Sequence, residues 1–352
     1  MMMTNQKSSQ ILMILILGIL TSILINGFRT ADRSDKDLSL KKDNTVIDSV
    51  NRTAGIVNNN GIKLYYEIVG SGKDTIIFLH GTPSTMYAFV NDLDILSNHF
   101  TMIFYDQRGG GRSSLILDPD SLTWQENIKD LEAIRAHFNI TKLNLMGISW
   151  GSALAVLYAN DYLEYINSLI LFPMPARKEP DVPRNAEPRA PLLDSVSVKR
   201  MDELLNDWES SDDPIAICEE YWSILSSKLY HDSTYVQRIK GSFCQEPPEV
   251  MRYTWRVSEA RLESLGDFDL RPILKKINSP SLIIKGTSTR MYPEWSEEWA
   301  AWLPNSRMLW VDESGYFPWV EKPEIIVDAC IAFFNGDWPI DAKIIDKESF
   351  ID

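Results

Sequence analysis

Histidine is scarce in this 352-residue chain, and its distribution matters more than its number. The four histidines are His80, His99, His137 and His231, so none follows residue 231. That excludes any mechanism that draws an imidazole base from the C-terminal third of the chain. Cysteine is almost as rare: Cys218, Cys244 and Cys330 match no metal-ligand spacing. Cys218 and Cys244 either pair as a disulfide in an oxidising compartment or remain, with Cys330, unrelated thiols. Positive charge is in deficit too. A formal net charge of −14 argues against nucleic acid and anionic membrane surfaces as partners. No metal and no cofactor are expected, and nothing in the chain sets an oligomeric state.

Among the features that are present, the first is a long apolar run. Residues 11–25 read ILMILILGILTSILI, and no charge falls between Lys7 and Arg29. Such a run is either the core of a secretory signal or a short membrane anchor. No cysteine follows it, which excludes a bacterial lipoprotein signal. Residues 1–28 are therefore read as a signal sequence or anchor, with membrane attachment through 11–28 in the second case. Residues 29–53 are polar and read as a tether. Either way the domain is expected to be exported, and to be membrane-anchored, secreted or periplasmic.

From Ala54 onward, strand-like and helix-like segments alternate. Residues 62–69, 75–79, 101–105, 142–146 and 166–172 read as strands, with helical spacing at 86–99, 122–138 and 152–162. Short continuous apolar runs such as Thr75-Ile76-Ile77-Phe78-Leu79 belong to strands buried on both faces. This alternation predicts an α/β fold with a mostly parallel, doubly wound sheet. The pattern breaks at Pro173. Residues 173–265 hold a proline-rich stretch and helix-like segments at 196–208, 214–229 and 235–241, read as a helical cap over the C-terminal edge of the sheet. Alternation resumes with a strand at 281–284, a helix at 294–303, a strand at 308–311 and a last helix at 325–334. The core thus spans 54–172 and 266–340, followed by a tail at 341–352.

Chemistry concentrates in Gly147-Ile148-Ser149-Trp150-Gly151, a G-x-S-x-G pattern between a buried strand and a helix. Residues without bulk at both flanks permit a sharp turn that lifts the Ser149 hydroxyl above the sheet. His80-Gly81-Thr82-Pro83 follows the strand ending at Leu79. Backbone N–H groups at Gly81, Thr82 and Trp150 are the candidates for an oxyanion hole. Asp106-Gln107-Arg108-Gly109-Gly110-Gly111 follows the strand ending at Tyr105, and Asp106 with Arg108 is read as a structural pair that orders this loop.

HGTP, DQRGGGRSS and GISWGSALA, in this order, resemble the proline iminopeptidase-like branch of the α/β-hydrolases. The resemblance extends through GDFDLRPILKKINSPSLIIKG and SGYFPWVEKPE, and so covers about residues 50–340. It implies an α/β-hydrolase fold, an eight-stranded sheet with a helical cap after the sixth strand. It also implies Ser149 as nucleophile and hydrolysis of small amides or esters. The serine then needs a base, and the base needs an acid to orient it. The resemblance puts the acid three residues after Gly286, where this chain has Thr289. It puts the base directly after Gly315, where this chain has Tyr316. Both triad partners are replaced. An ordinary phenol titrates near pH 10 and is only about 0.1% ionised at pH 7. No Lys or Arg adjoins Tyr316 in sequence before Lys322.

Other candidates for the base are His80, beside the oxyanion loop, and His231, reaching down from the cap. Glu294, Glu297 and Glu298 are alternative carboxylates. An aminopeptidase also needs acidic groups that hold a substrate amine. Glu219, Glu220, Glu259 and Glu263 are the candidates, against the plainer reading that each lies on a solvated helix face. Tyr221, Trp222, Tyr253 and Trp255 either line a pocket or fill a core. Two functions remain. One is a hydrolytically impaired protein that binds a small molecule or peptide. The other is an active serine hydrolase, an aminopeptidase or esterase, with a non-standard base.

Overall fold

A computed structural model describes residues 51–83, 85–178, 193–289 and 294–350. The expected signal or anchor and nearly all of the tether lie outside the described residues. Eight strands form one sheet: β1 (Arg52–Asn59), β2 (Ile62–Val69), β3 (Thr75–Leu79), β4 (Thr101–Tyr105), β5 (Leu143–Ser149), β6 (Ile166–Pro173), β7 (Ser281–Gly286) and β8 (Ser306–Val311). Their order across the sheet is β1-β2-β4-β3-β5-β6-β7-β8. The most apolar runs, β3, β4 and β5, take the middle, where both faces are covered. β2 pairs antiparallel with both of its neighbours, and every other pairing is parallel.

Long helices accompany the strands: α1 (Trp124–His137), α2 (Trp150–Asp161), α6 (Glu294–Trp302) and α7 (Pro323–Phe334). Thr123 caps α1 by accepting from the Glu126 N–H, and Glu126 stands in the first turn. In α2 every residue from Trp150 to Ala159 is buried, as expected of a helix apolar all round. Between β6 and β7 lie α3 (Ser195–Asp207), α4 (Pro214–Leu229) and α5 (Thr254–Glu263), with no strand between them among the described residues. Asp194 and Asp213 cap α3 and α4. This insertion has its own aromatic core, Trp208, Tyr221 and Trp255, with ring centroids 5.0–5.8 Å apart. Cys218 on α4 is disulfide-bonded to Cys244, and Cys330 is free and buried.

Three expectations need correction. The first strand, β1, begins at Arg52, inside the stretch read as tether; its signal was the Asn60-Gly61 turn, where both residues have positive φ (50° and 90°). Residues 86–99 form two short 3₁₀ turns, Met86–Ala88 and Asp94–Asn98, instead of one helix. Tertiary bonds outcompete the helical ones there: the Met86 N–H donates to Asp106, and Asp92 accepts from the Lys240 and Gly241 N–H groups. Residues 235–241 likewise give only the 3₁₀ segment Ser233–Arg238, while α5 was not anticipated. No helix among the described residues is long and apolar enough to cross a membrane.

Candidate functional site

All parallel strands end on one side of the sheet, and the crevice there is where doubly wound folds place ligands. Ser149 is the last residue of β5 and the N-cap of α2, with φ 51° and ψ −119°. That backbone is strained for a residue with a side chain, and it turns the hydroxyl out of the strand. A side chain at Gly151 would collide with the Leu79 carbonyl, so β3 and α2 meet only because Gly151 has none. Gly81 lies against the same serine: a Cβ there would stand 3.3 Å from the Ser149 Cβ.

Gln107, which sequence reasoning passed over, ties these parts together. Its backbone N–H donates to His80 Nε2 (3.2 Å), and its side-chain amide donates to the His80 carbonyl (2.9 Å) and accepts from Trp150 Nε1 (2.8 Å). His80 Nδ1 faces the Gly81 carbonyl at 2.7 Å, so both ring nitrogens are engaged. Burial, reinforced by the Arg261 charge, lowers the His80 pKa to about 3. A neutral, doubly bonded imidazole braces the loop and offers no base. The expected Asp106–Arg108 pair does not form. Asp106 accepts from the Met86 and Arg112 N–H groups, and burial raises its pKa to about 7. Arg108 instead grips Asp130 with two bonds, of 2.6 and 2.7 Å. Each side chain orders the loop separately.

On the other side of the pocket stands Tyr316. Its phenol hydrogen-bonds the Ser149 side chain, and burial raises its pKa to about 12. The Tyr316 N–H donates to the Leu229 carbonyl at the end of α4 (2.7 Å). Buried Glu321 fixes the turn from behind, accepting from the Gly315 N–H (2.5 Å), the Ser314 hydroxyl (3.1 Å) and the His231 N–H (2.8 Å). None of these bonds uses the side chain at position 316. A cation does approach Tyr316, contrary to the local sequence: Lys285 at the end of β7 places its Nζ 5.4 Å from the ring centroid. Only the fold brings these two residues together.

The structure thus unites Ser149, Gly81, Thr82, Tyr316 and Lys285 around one pocket. Thr289 is buried beside β7 but does not line it, and neither does the Trp150 side chain. His231 is exposed, with Nδ1 2.7 Å from the Ser288 hydroxyl, and is also absent from the lining. His99 and His137 are exposed at the ends of helical turns. The insertion contributes Trp222, Leu225, Leu229 and Phe243 to the pocket wall, with Trp222 and Phe243 stacked at 3.8 Å.

Its four candidate glutamates lie outside the pocket lining. Exposed Glu220 is bound by Arg200, Glu219 and Glu263 are exposed, and Glu259 is half-buried outside the pocket. Tyr221 and Trp255 belong to the insertion core, and Tyr253 packs under Arg256. Glu298 is buried beside Arg177 and Arg271. Among the described lining residues there is no carboxylate.

Comparison with known proteins agrees with this architecture. The family model for the alpha/beta hydrolase fold matches residues 74–191. The proline iminopeptidase of Heyndrickxia coagulans is 25% identical over 291 residues, covering 81% of this chain and 99% of that protein. That of Lactobacillus helveticus is 28% identical over 277 residues, covering 75% of this chain and 91% of that protein. In structure, a thermophilic esterase from Thermogutta terrifontis superposes with a TM-score of 0.59 at 23% identity, covering 81% of this chain and 98% of that chain. The enol-lactonase of Burkholderia xenovorans gives 0.59 at 18% identity, covering 80% of this chain and 100% of that chain. The chain is an α/β-hydrolase-fold protein related in sequence to the proline iminopeptidases.

Proposed function

We propose that this protein is a hydrolytically impaired member of that fold, which binds a small molecule in the pocket above Ser149. One observation carries this reading: the residue that hydrogen-bonds the Ser149 side chain is the phenol of Tyr316, with a pKa near 12. At pH 7 such a phenol is about 10⁻⁵ ionised and takes no proton from serine. Losing the base of a serine hydrolase costs on the order of 10⁶ in rate, leaving about 10³–10⁴ over water from binding and the oxyanion hole. Gly81, Thr82 and Trp150 are the groups we assign to that hole. Thr289 and Tyr316 occupy the acid and base positions of the family without the chemistry.

Residues 173–265 serve as the cap of this pocket. The Cys218–Cys244 disulfide supports the reading of residues 1–28 as an export signal or anchor, because such bonds persist in oxidising compartments. The competing reading is an active aminopeptidase or esterase in which Lys285 assists Tyr316, and one feature favours it, the ammonium over the phenol ring.

A fluorophosphonate probe separates the two. The full chain, its Ser149→Ala variant and the double variant Thr289→Asp/Tyr316→His are compared for labelling rate. Labelling only in the double variant supports impairment. Fast wild-type labelling that Ser149→Ala abolishes establishes the active enzyme instead.

A further inference from the structure

The disulfide of the insertion reaches the pocket wall, whatever the chemistry of Ser149. Cys218, Trp222, Leu225 and Leu229 stand at positions i, i+4, i+7 and i+11 of α4, which puts them on one helical stripe. The last three line the pocket, and buried Cys218 extends the stripe one turn beyond them. Its partner Cys244 directly follows Phe243, and Phe243 stacks on Trp222 with ring centroids 3.8 Å apart. The covalent bond and the stack therefore join the same two pieces of chain, side by side. One piece is α4, tied to the core at its C-terminal end by the Tyr316 N–H. The other is the loop at 240–246, which the core holds. Asp92 accepts from the Lys240 and Gly241 N–H groups (2.8 and 3.1 Å), the Ser242 N–H donates to the Tyr87 carbonyl (3.1 Å), and buried Glu246 accepts from the Gly111 N–H (3.0 Å). Phe243 also meets Phe89 and Phe317, and Phe317 meets Tyr316. A single aromatic pair adds little beyond its buried area. A cross-link spanning 26 residues favours the closed arrangement by a factor of about 10² in the chain-entropy account.

We propose that the Cys218–Cys244 bond is a redox-sensitive clasp of the pocket wall. Oxidised, it holds Trp222 on Phe243 and narrows the way to Ser149. Reduced, it lets α4 part from the loop and widens that way. Cys244 is half-buried and Cys218 buried, so a small dithiol attacks at Cys244. Its thiolate forms a mixed disulfide with Cys244 Sγ and expels the Cys218 thiolate. Its second thiol then closes the reductant's own disulfide and expels the Cys244 thiolate. The dithiol thus gives up two electrons and two protons, the chain gains two thiols, and no pocket residue changes.

The test reads access to position 149 without reference to any base. The full chain carrying Ser149→Cys is modified with methyl methanethiosulfonate, followed by mass, with and without Cys218→Ser/Cys244→Ser; buried Cys330 is common to both. Without the disulfide the rate is expected to rise about 10- to 100-fold. In 5-fluorotryptophan-labelled chain that keeps Ser149, the Trp222 fluorine signal, assigned through Trp222→Phe, should move while that of Trp208 in the insertion core stays. A rate change under about twofold, or an unmoved Trp222 signal, overturns the proposal. So does a Trp208 signal that moves with Trp222, since the bond is then a general brace of the insertion. Where the double serine variant does not fold, reduction of the folded wild type with dithiothreitol gives the same fluorine comparison. Fluorophosphonate labelling of the wild type reports on the base at Ser149 alone. Fast labelling with a moving Trp222 signal overturns the impaired-enzyme reading and keeps this one; resistance to labelling with an unmoved signal does the reverse.

Discussion

The two sides of the pocket floor are held by opposite strategies. On the Ser149 side, side chains do the holding: Gln107 bonds both His80 and Trp150 and fixes the loop beside Ser149. On the Tyr316 side, the backbone is held from behind. Glu321 clamps Gly315 and Ser314, and the Tyr316 N–H docks on α4. The first arrangement fails if its side chains change. The second survives any side chain at 316 that fits the pocket. The turn can therefore keep its shape whatever side chain stands at 316, which is how its sequence stays recognisable around Tyr316.

The largest expected effect comes from placing an acid and a histidine on the Tyr316 side. Thr289→Asp/Tyr316→His should raise the fluorophosphonate labelling rate by about 10²–10⁴, the usual worth of a positioned general base. A gain under tenfold would mean that the two sides are no longer in register for catalysis. Removing the clamp is next. Glu321→Ala strands two buried donors, at Ser314 and Gly315, and a part-buried one at His231, and a urea titration should show a loss of about 3 kcal/mol. A loss below 1 kcal/mol would contradict the idea that this turn is held from behind.

The nucleophile side is probed through His80, whose folded pKa near 3 lies below its unfolded value. The folded state excludes the proton that the unfolded state binds, so this contribution is complete above about pH 6.5 and is lost as pH falls toward 3. Asp106, raised to about 7, acts in the opposite sense: its contribution is lost as pH rises through 7, so the two partly cancel in the wild type. Unfolding free energies at pH 5 and 6 for wild type and His80→Gln isolate the histidine. The variant should lack about 1.4 kcal/mol of stability gain per pH unit. The smallest effect belongs to Tyr316→Phe. Labelling at pH 7 should change by less than about threefold, given a phenol pKa near 12. A tenfold loss would make Tyr316 a working base and break the comparison.

Much of this was legible along the chain. Continuous apolar runs marked β3 through β6, because strands covered on both faces tolerate no alternation. Flanking glycines marked the Ser149 turn, because nothing larger fits against β3. The helical spacing at 86–99 gives two short turns instead, because long-range bonds to Asp92 and Asp106 override the local preference. The Asn60-Gly61 turn, with positive φ at both residues, is the local signal that pairs β1 with β2.

By itself the sequence determined the sheet, the strained serine and the absence of histidine near Gly315, since each is a matter of residue type at a fixed local position. Only the tertiary structure decided what surrounds Tyr316. It closed the phenol of Tyr316 onto Ser149, brought Lys285 from β7 to its ring, and kept Glu219, Glu220, Glu259 and Glu263 out of the cavity lining. The physical reason is that charge and proton affinity in a pocket depend on which groups share a buried volume, and distant strands of one sheet bring them there.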